Sequence, residues 1–184
     1  MERSEKLYLL ETARTAIESH LRGNDISQTL PDSDILREER GVFVTLKKND
    51  DLRGCIGYIE GVEPLYRAVS TMAVKAGFHD PRFPPLREDE LNAVNIEISV
   101  MTPLKKTEDI SEINVGEHGI FMKRGYASGL LLPQVAVEWG YDREKFLSST
   151  CMKAGMGPDC YNDPDTDIYI FSAEIFSEEE MYGD

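Results

Sequence analysis

The chain has 184 residues, enough for one substantial core or one module with two lobes and short for two independent domains, so a single functional unit over 1–184 is expected. Hydrophobic residues make up 41% and charged residues 29%, the balance of a globular chain. Lys and Arg number 20 against 34 Asp and Glu, a formal charge of −14, and a surface of that sign repels nucleic acid and anionic lipid, which are therefore not expected as partners.

Residues 4–21 place Leu7, Leu10, Ala13, Ile17 and Leu21 at helical spacing behind Ser4 as a possible N-cap. The start of the chain carries acids where a signal peptide would be basic and then apolar, and no apolar run reaches the roughly 18 residues of a membrane span. A cytoplasmic location is expected. Polar residues 23–34 read as a loop, punctuated by Gly23 and Pro31. GVFVTLKKND and LRGCIGYIEG then read as a hairpin turning at Asn49, Asp50 and Asp51, with Cys55 on its second strand.

Pro64 suits the first position of a helix whose stripe runs Leu65, Ala68, Val69, Met72, Ala73 and Ala76 and which Gly77 ends. Three prolines make 78–91 an extended, stiff loop. The clean alternation of 93–101 gives a half-buried strand. Residues 118–133 read as two short strands joined at Arg124 and Gly125, and Pro133 opens a helix that Gly140 ends. Asp142 caps a further helix with Phe146, Leu147, Thr150, Cys151 and Ala154 on one face. DIYIFSAEIF reads as one central strand, followed by a solvated acidic tail.

A local hairpin and no strict βαβ rhythm make the fold class α+β, with mainly antiparallel sheet and flanking helices. The loops at 22–37 and 78–91 are the expected seams between lobes, which would put a smaller lobe within about 38–88. Cys55, Cys151 and Cys160 form no CxxC pair, and His20, His79 and His118 are scattered. No disulfide, metal or cofactor is expected on that spacing, with Cys151 in the core and Cys160 accessible in a polar loop.

LRGCIG at 52–57, DPRFPPL at 80–86, ISVMTPL at 98–104, GLLLPQVAVEWGYD at 129–142 and KAGMGPD at 153–159 together resemble the AMMECR1 family, in order along nearly the whole chain. The resemblance implies an α+β protein of two unequal lobes with LRGCIG near a cleft between them. It brings no settled reaction. Some bacterial relatives resemble parts of gene sets or fusions with Memo-type and radical-SAM proteins, and eukaryotic members resemble intracellular interaction proteins, so a partner of either type is implied.

The candidate chemistry centres on Cys55. In an unbroken strand Arg53 and Cys55 share a face, which would set a guanidinium beside a thiol and favour the thiolate nucleophile. The bland alternative is a small buried hydrophobe. Gly54 and Gly57 permit close approach to the backbone, so Arg53, Gly54, Gly57 and Arg82 are the expected contacts for a small polar or anionic ligand, with pairing of Arg82 to Asp80 or Glu88 as the structural alternative. His79 is a second catalytic candidate from the residues, although its HD context departs from the family pattern. An enzyme or binder at Cys55 stands against a non-catalytic adaptor whose surface docks another protein.

Overall fold

The computed structural model describes residues 1–25 and 30–183, so the expected loop at 23–34 falls partly outside the described residues. The strands are β1 (Val42–Lys48), β2 (Asp51–Tyr58), β3 (Val94–Met101), β4 (Lys105–Thr107), β5 (Gly119–Arg124), β6 (Ala127–Leu131), β7 (Asp167–Phe171) and β8 (Ala173–Ser177). The helices are α1 (Arg3–Leu21), α2 (Asp34–Arg37), α3 (Leu65–Phe78), α4 (Pro133–Glu138), α5 (Arg143–Lys153) and α6 (Glu178–Tyr182). The fold is α+β with two antiparallel sheets, ordered β2-β1-β3-β8 and β4-β7-β5-β6.

The chain divides into one unit of Met1–Val100 with Glu174–Asp184 and a second of Met101–Ala173. Residues 38–88 and both expected seams lie inside the first unit. Its core forms where the apolar stripes of α1 and α3 meet the inward face of the first sheet: Leu10, Ala13 and Ile17, then Val69, Met72 and Ala73, against Val44, Leu46, Ile96 and Ile98. All of these side chains are fully buried. Ser4 lies within α1, and Glu2 is the cap: its N–H donates to the Glu5 carboxylate at 2.7 Å in a capping box.

The β1–β2 hairpin turns through Asn49 at φ 52° and Asp50 at φ 65°, the left-handed pair that matches the twist of a two-residue turn. Its register then slips, because Leu46 faces Gly54 while Lys47 faces Leu52. Arg53 is the extra residue of a β-bulge.

The stiff stretch 78–91 does not stay extended, since Glu88–Ala93 wind into a 3-10 helix. DIYIFSAEIF is two strands. Thr102 N–H donates to Ser172 O at 2.8 Å, and Ser172 N–H to Thr102 Oγ1 at 2.9 Å, drawing Ser172 out of any ladder. Hence β7 is central in the second sheet while β8 edges the first. The acidic tail is anchored, because Ser177 caps α6, Met181 is buried and Glu178 accepts from Arg14 Nε at 2.9 Å.

The second unit packs Ile120, Met122, Ile168 and Ile170 of its sheet against Ala136 of α4 and Phe146, Leu147 and Cys151 of α5. Here the expectation of free cysteines fails: Cys151 and Cys160 form a disulfide, with Cα atoms 5.7 Å apart. After α5, Met156 N–H donates to Cys151 O at 3.0 Å and Gly155 takes φ 73°, so the chain doubles back and brings Cys160 to the sulfur nine residues earlier. Cys160 is therefore core, 5% exposed, and not an accessible loop thiol.

Candidate functional site

The bulge decides the surroundings of Cys55. It turns Arg53 away from the thiol, onto the side of the sheet where Lys48 also reaches Glu90. Arg53 donates to Glu90 through Nε at 3.1 Å and Nη2 at 3.0 Å, and Lys48 Nζ adds a third bond at 3.0 Å. Both Arg53 and Glu90 side chains are 10% exposed. The Arg53 guanidinium, with help from Lys48, holds the Glu90 carboxyl down at about 2. Arg53 Nη1 is buried without a partner among the described residues. The expected pairing of Arg53 with Cys55 on one face is thus corrected: the two side chains are divided by the bulge.

Cys55 keeps the register beyond the bulge, opposite Thr45 of β1, which in turn faces Glu97 of β3. The three side chains form one row across three strands, on the face opposite the helices. β2 is an edge strand, and the outward backbone of Cys55 is bound by the 80–82 turn: its N–H donates to Asp80 Oδ2 at 2.9 Å, and its carbonyl accepts from Arg82 Nη2 at 3.0 Å. Cys55 and Thr45 are therefore a pair without ladder hydrogen bonds, the kind whose side chains approach most closely. The Thr45 hydroxyl donates to the Cys55 sulfur at 3.2 Å.

What sequence reasoning missed is the bond that Asp80 makes to the Cys55 backbone, beyond its pairing with Arg82. The Asp80 side chain is 1% exposed, and besides Cys55 N–H it accepts from Arg82 N, Nε and Nη2 at 3.1, 2.9 and 2.7 Å. Bonding to Arg82 first, then to these backbone groups, holds its carboxyl far below the usual range. An Asp immediately before Pro81 was the available signal, since that dipeptide favours a turn in which the carboxylate bonds the following backbone. Arg82 itself remains half-exposed and lies over the Phe83 ring.

The Cys55 thiol is free and partly exposed. Burial pushes its pKa up from the ordinary value, outweighing the Thr45 hydroxyl and the Arg82 charge, which pull it down. Its resting form near neutral pH is the uncharged thiol. On the same face, Glu97 pairs with Lys47 at 2.8 Å, and neither side chain is closed off, at 19% and 36% exposure.

The two glycines lie beside protein atoms. A Cβ at Gly54 would stand 2.2 Å from the Ala76 carbonyl of α3, and one at Gly57 would stand 2.4 Å from the Phe43 ring. Gly54 therefore lets the edge strand close onto the end of a helix. His79 is the exposed C-cap of α3, with its ring 6.1 Å from that of His20, and no described hydrogen bond links it to Cys55. His118 belongs to the second unit, where its Nδ1 accepts from Asn114 N–H at 3.2 Å. Among the described residues no group of three or more His, Cys, Asp and Glu is arranged to hold a metal ion, and no helix is long and apolar enough to cross a membrane.

The AMMECR1 family profile matches residues 10–176. A protein of Methanothermobacter thermautotrophicus is 50% identical over 187 aligned positions that cover 97% of each chain. One of Methanopyrus kandleri is 47% identical, covering 96% of this chain and 89% of that one. The crystal structure of an uncharacterized protein of Pyrococcus horikoshii matches with a TM-score of 0.88 at 43% identity, over 96% of this chain and 93% of that one.

Proposed function

The chain belongs to the AMMECR1 family, and from that premise we propose that the polar face around Cys55 binds a small polar or anionic ligand. The observation that carries the reading is the row Cys55, Thr45 and Glu97, fixed by backbone bonds from Asp80 and Arg82 to the edge of a rigid sheet. A partly exposed thiol, a hydroxyl, a carboxylate and the Lys47 ammonium are then held on one surface without further ordering. Lys47 and Arg82 supply positive charge that each shares with one carboxylate, which favours an anionic group on the ligand.

Arg53, Gly54 and Gly57 do not enter this proposal, because Glu90, Ala76 and Phe43 already fill the space beside them. His79 does not enter it either. The raised Cys55 pKa favours a binder over a thiolate nucleophile: the thiol contacts the ligand as a neutral group. A thermal-shift screen with small carboxylates and phosphates on the wild type, Cys55→Ser, Thr45→Val and Arg82→Gln tests it. A ligand at a hundredfold excess over its Kd stabilises by about 2.7 kcal/mol. The expected result is such a shift in the wild type and its loss in Arg82→Gln; a screen in which no compound separates the wild type from the three variants would sink the proposal.

One observation favours the adaptor reading as a second role. In the second unit Val115, Val137 and Trp139 are 38%, 63% and 70% exposed, and Gly116 brings the first loop against Val137. An exposed Trp is a side chain enriched at protein–protein interfaces. Mixing the protein with a Memo-type or radical-SAM partner from the same organism, with Trp139→Ala as control, tests it. Binding that ignores Trp139→Ala would rule out this patch.

A further inference from the structure

In the second unit, residues 155–165 carry the chain from the end of α5 toward β7 with only one short 3-10 turn, Cys160–Asn162. Their backbone hydrogen bonds are local. Met156 N–H donates to Cys151 O at 3.0 Å, Cys160 N–H to Gly157 O at 3.1 Å, Asn162 N–H to Asp159 O at 3.0 Å and Asp163 N–H to Cys160 O at 3.1 Å. These bonds shape the stretch, and none of them joins it to the sheet.

Three ties hold it down. Met156 and Tyr161 are partly buried against the core of the unit. Arg124 of β5 meets Asp163 at 2.5 Å, but the two side chains are 35% and 40% exposed, and a pair so open to water contributes little. The third tie is the disulfide, whose sulfurs lie 3.5 and 3.7 Å from Met122 Sδ of β5, so that it pins the stretch over the middle of the sheet. Cys151 is fully buried and Cys160 is 5% exposed, which makes Cys160 the sulfur that an incoming thiolate meets. The second unit has no third cysteine, so a reductant must come from outside it.

We infer that the Cys151–Cys160 bond is a redox latch: a dithiol reductant releases 155–165 from the second unit while the first unit keeps its fold. One reductant thiolate attacks the Cys160 sulfur, the S–S bond breaks, and Cys151 leaves as a thiolate that takes up a proton. The second reductant thiol attacks the mixed disulfide, which frees Cys160 as a thiol and leaves the reductant as a cyclic disulfide. Two electrons and two protons pass to the protein. The test is hydrogen exchange of the whole protein, read peptide by peptide in a mass spectrometer, in reduced and in oxidised dithiothreitol. Reduction is expected to speed exchange across 155–165 at least about tenfold and to leave α1, α3 and β1 to β3 as slow as before, with protection regained on reoxidation. Asp163→Asn, which weakens the ion pair, should speed this stretch further in the reduced protein and leave the oxidised protein unchanged. Cys160→Ala should exchange fast there in both buffers, and a difference between buffers that survives in it would assign the effect elsewhere and overturn the latch. Exchange across 155–165 that does not change on reduction would overturn it as well, as would a rise spread equally over the whole second unit.

Discussion

Arg53 and Arg82 both belong to the surroundings of Cys55 and both end on a carboxylate, yet the two pairs do different things. In the Arg53–Glu90 pair both side chains are inside, at 10% exposure each. In the Arg82–Asp80 pair the carboxylate is at 1% and the guanidinium at 53%. The first pair is closed to solutes, and its carboxylate is taken up by Arg53, Lys48 and Arg87. The second spends its buried carboxylate on the backbone of Cys55 and leaves its cation at the surface. Which partner is buried, more than the chemistry of the pair, decides whether an arginine is available to a ligand.

Acid strikes both pairs together and should have the largest effect. Both carboxyls have folded-state pKa values below the ordinary ones, so their stabilisation is complete above the unfolded value, about 4.5 for Glu90, and is lost as pH falls. Glu90 loses its share by about 2, and Asp80 holds on further. Urea midpoints from pH 6 downward should be flat and then drop through that window; a drop that begins near neutrality would contradict the arrangement. Glu90→Gln comes next. It leaves the Arg53 charge buried without its partner, at a cost of about 3–5 kcal/mol, and adding Arg53→Met should recover much of it.

Asp80→Ala should cost less, about 1–3 kcal/mol, because it unpairs one Cys55 N–H and a guanidinium that water can reach. It should also speed alkylation of Cys55, by freeing the edge strand; an unchanged rate would mean that the turn does not hold the strand. Arg82→Gln should cost about 1–2 kcal/mol, because it takes the guanidinium bonds from a carboxylate that is 1% exposed but leaves the Cys55 and Arg82 backbone N–H donors in place. If Arg82→Gln proved as destabilising as Glu90→Gln, the contrast between the two pairs would fall.

Period and punctuation made most of the framework legible: α1, α3 and β3 follow from their apolar spacing, and the β1–β2 turn from Asn49 and Asp50. What escaped was pairing across distance. Nothing within LRGCIG marks Arg53 as an extra residue, because a bulge is a property of two strands and Glu90 lies 37 positions away. The disulfide escaped for a like reason, since cysteines nine apart meet only if the chain between them reverses. Ser172 divides a continuous apolar run because Thr102, 70 residues earlier, takes its backbone bonds. For the site, Cys55 and the nearness of the 80–82 turn were readable from composition and motif. The row with Thr45 and Glu97 was not, because it depends on register.

The Asp80 and Arg82 bonds to Cys55 also bear on how copies of this chain behave at high concentration. An outer strand with free N–H and C=O groups is a template on which another chain can extend the sheet, the first step toward fibrous aggregates. At Cys55 both groups are already taken by a turn that ends after one residue and so cannot be continued. Growth of the first sheet is therefore blocked at this point along β2. The loss of Asp80 would expose the start of a polymerising edge as well as lower stability, so its variants should be judged by light scattering as well as by melting.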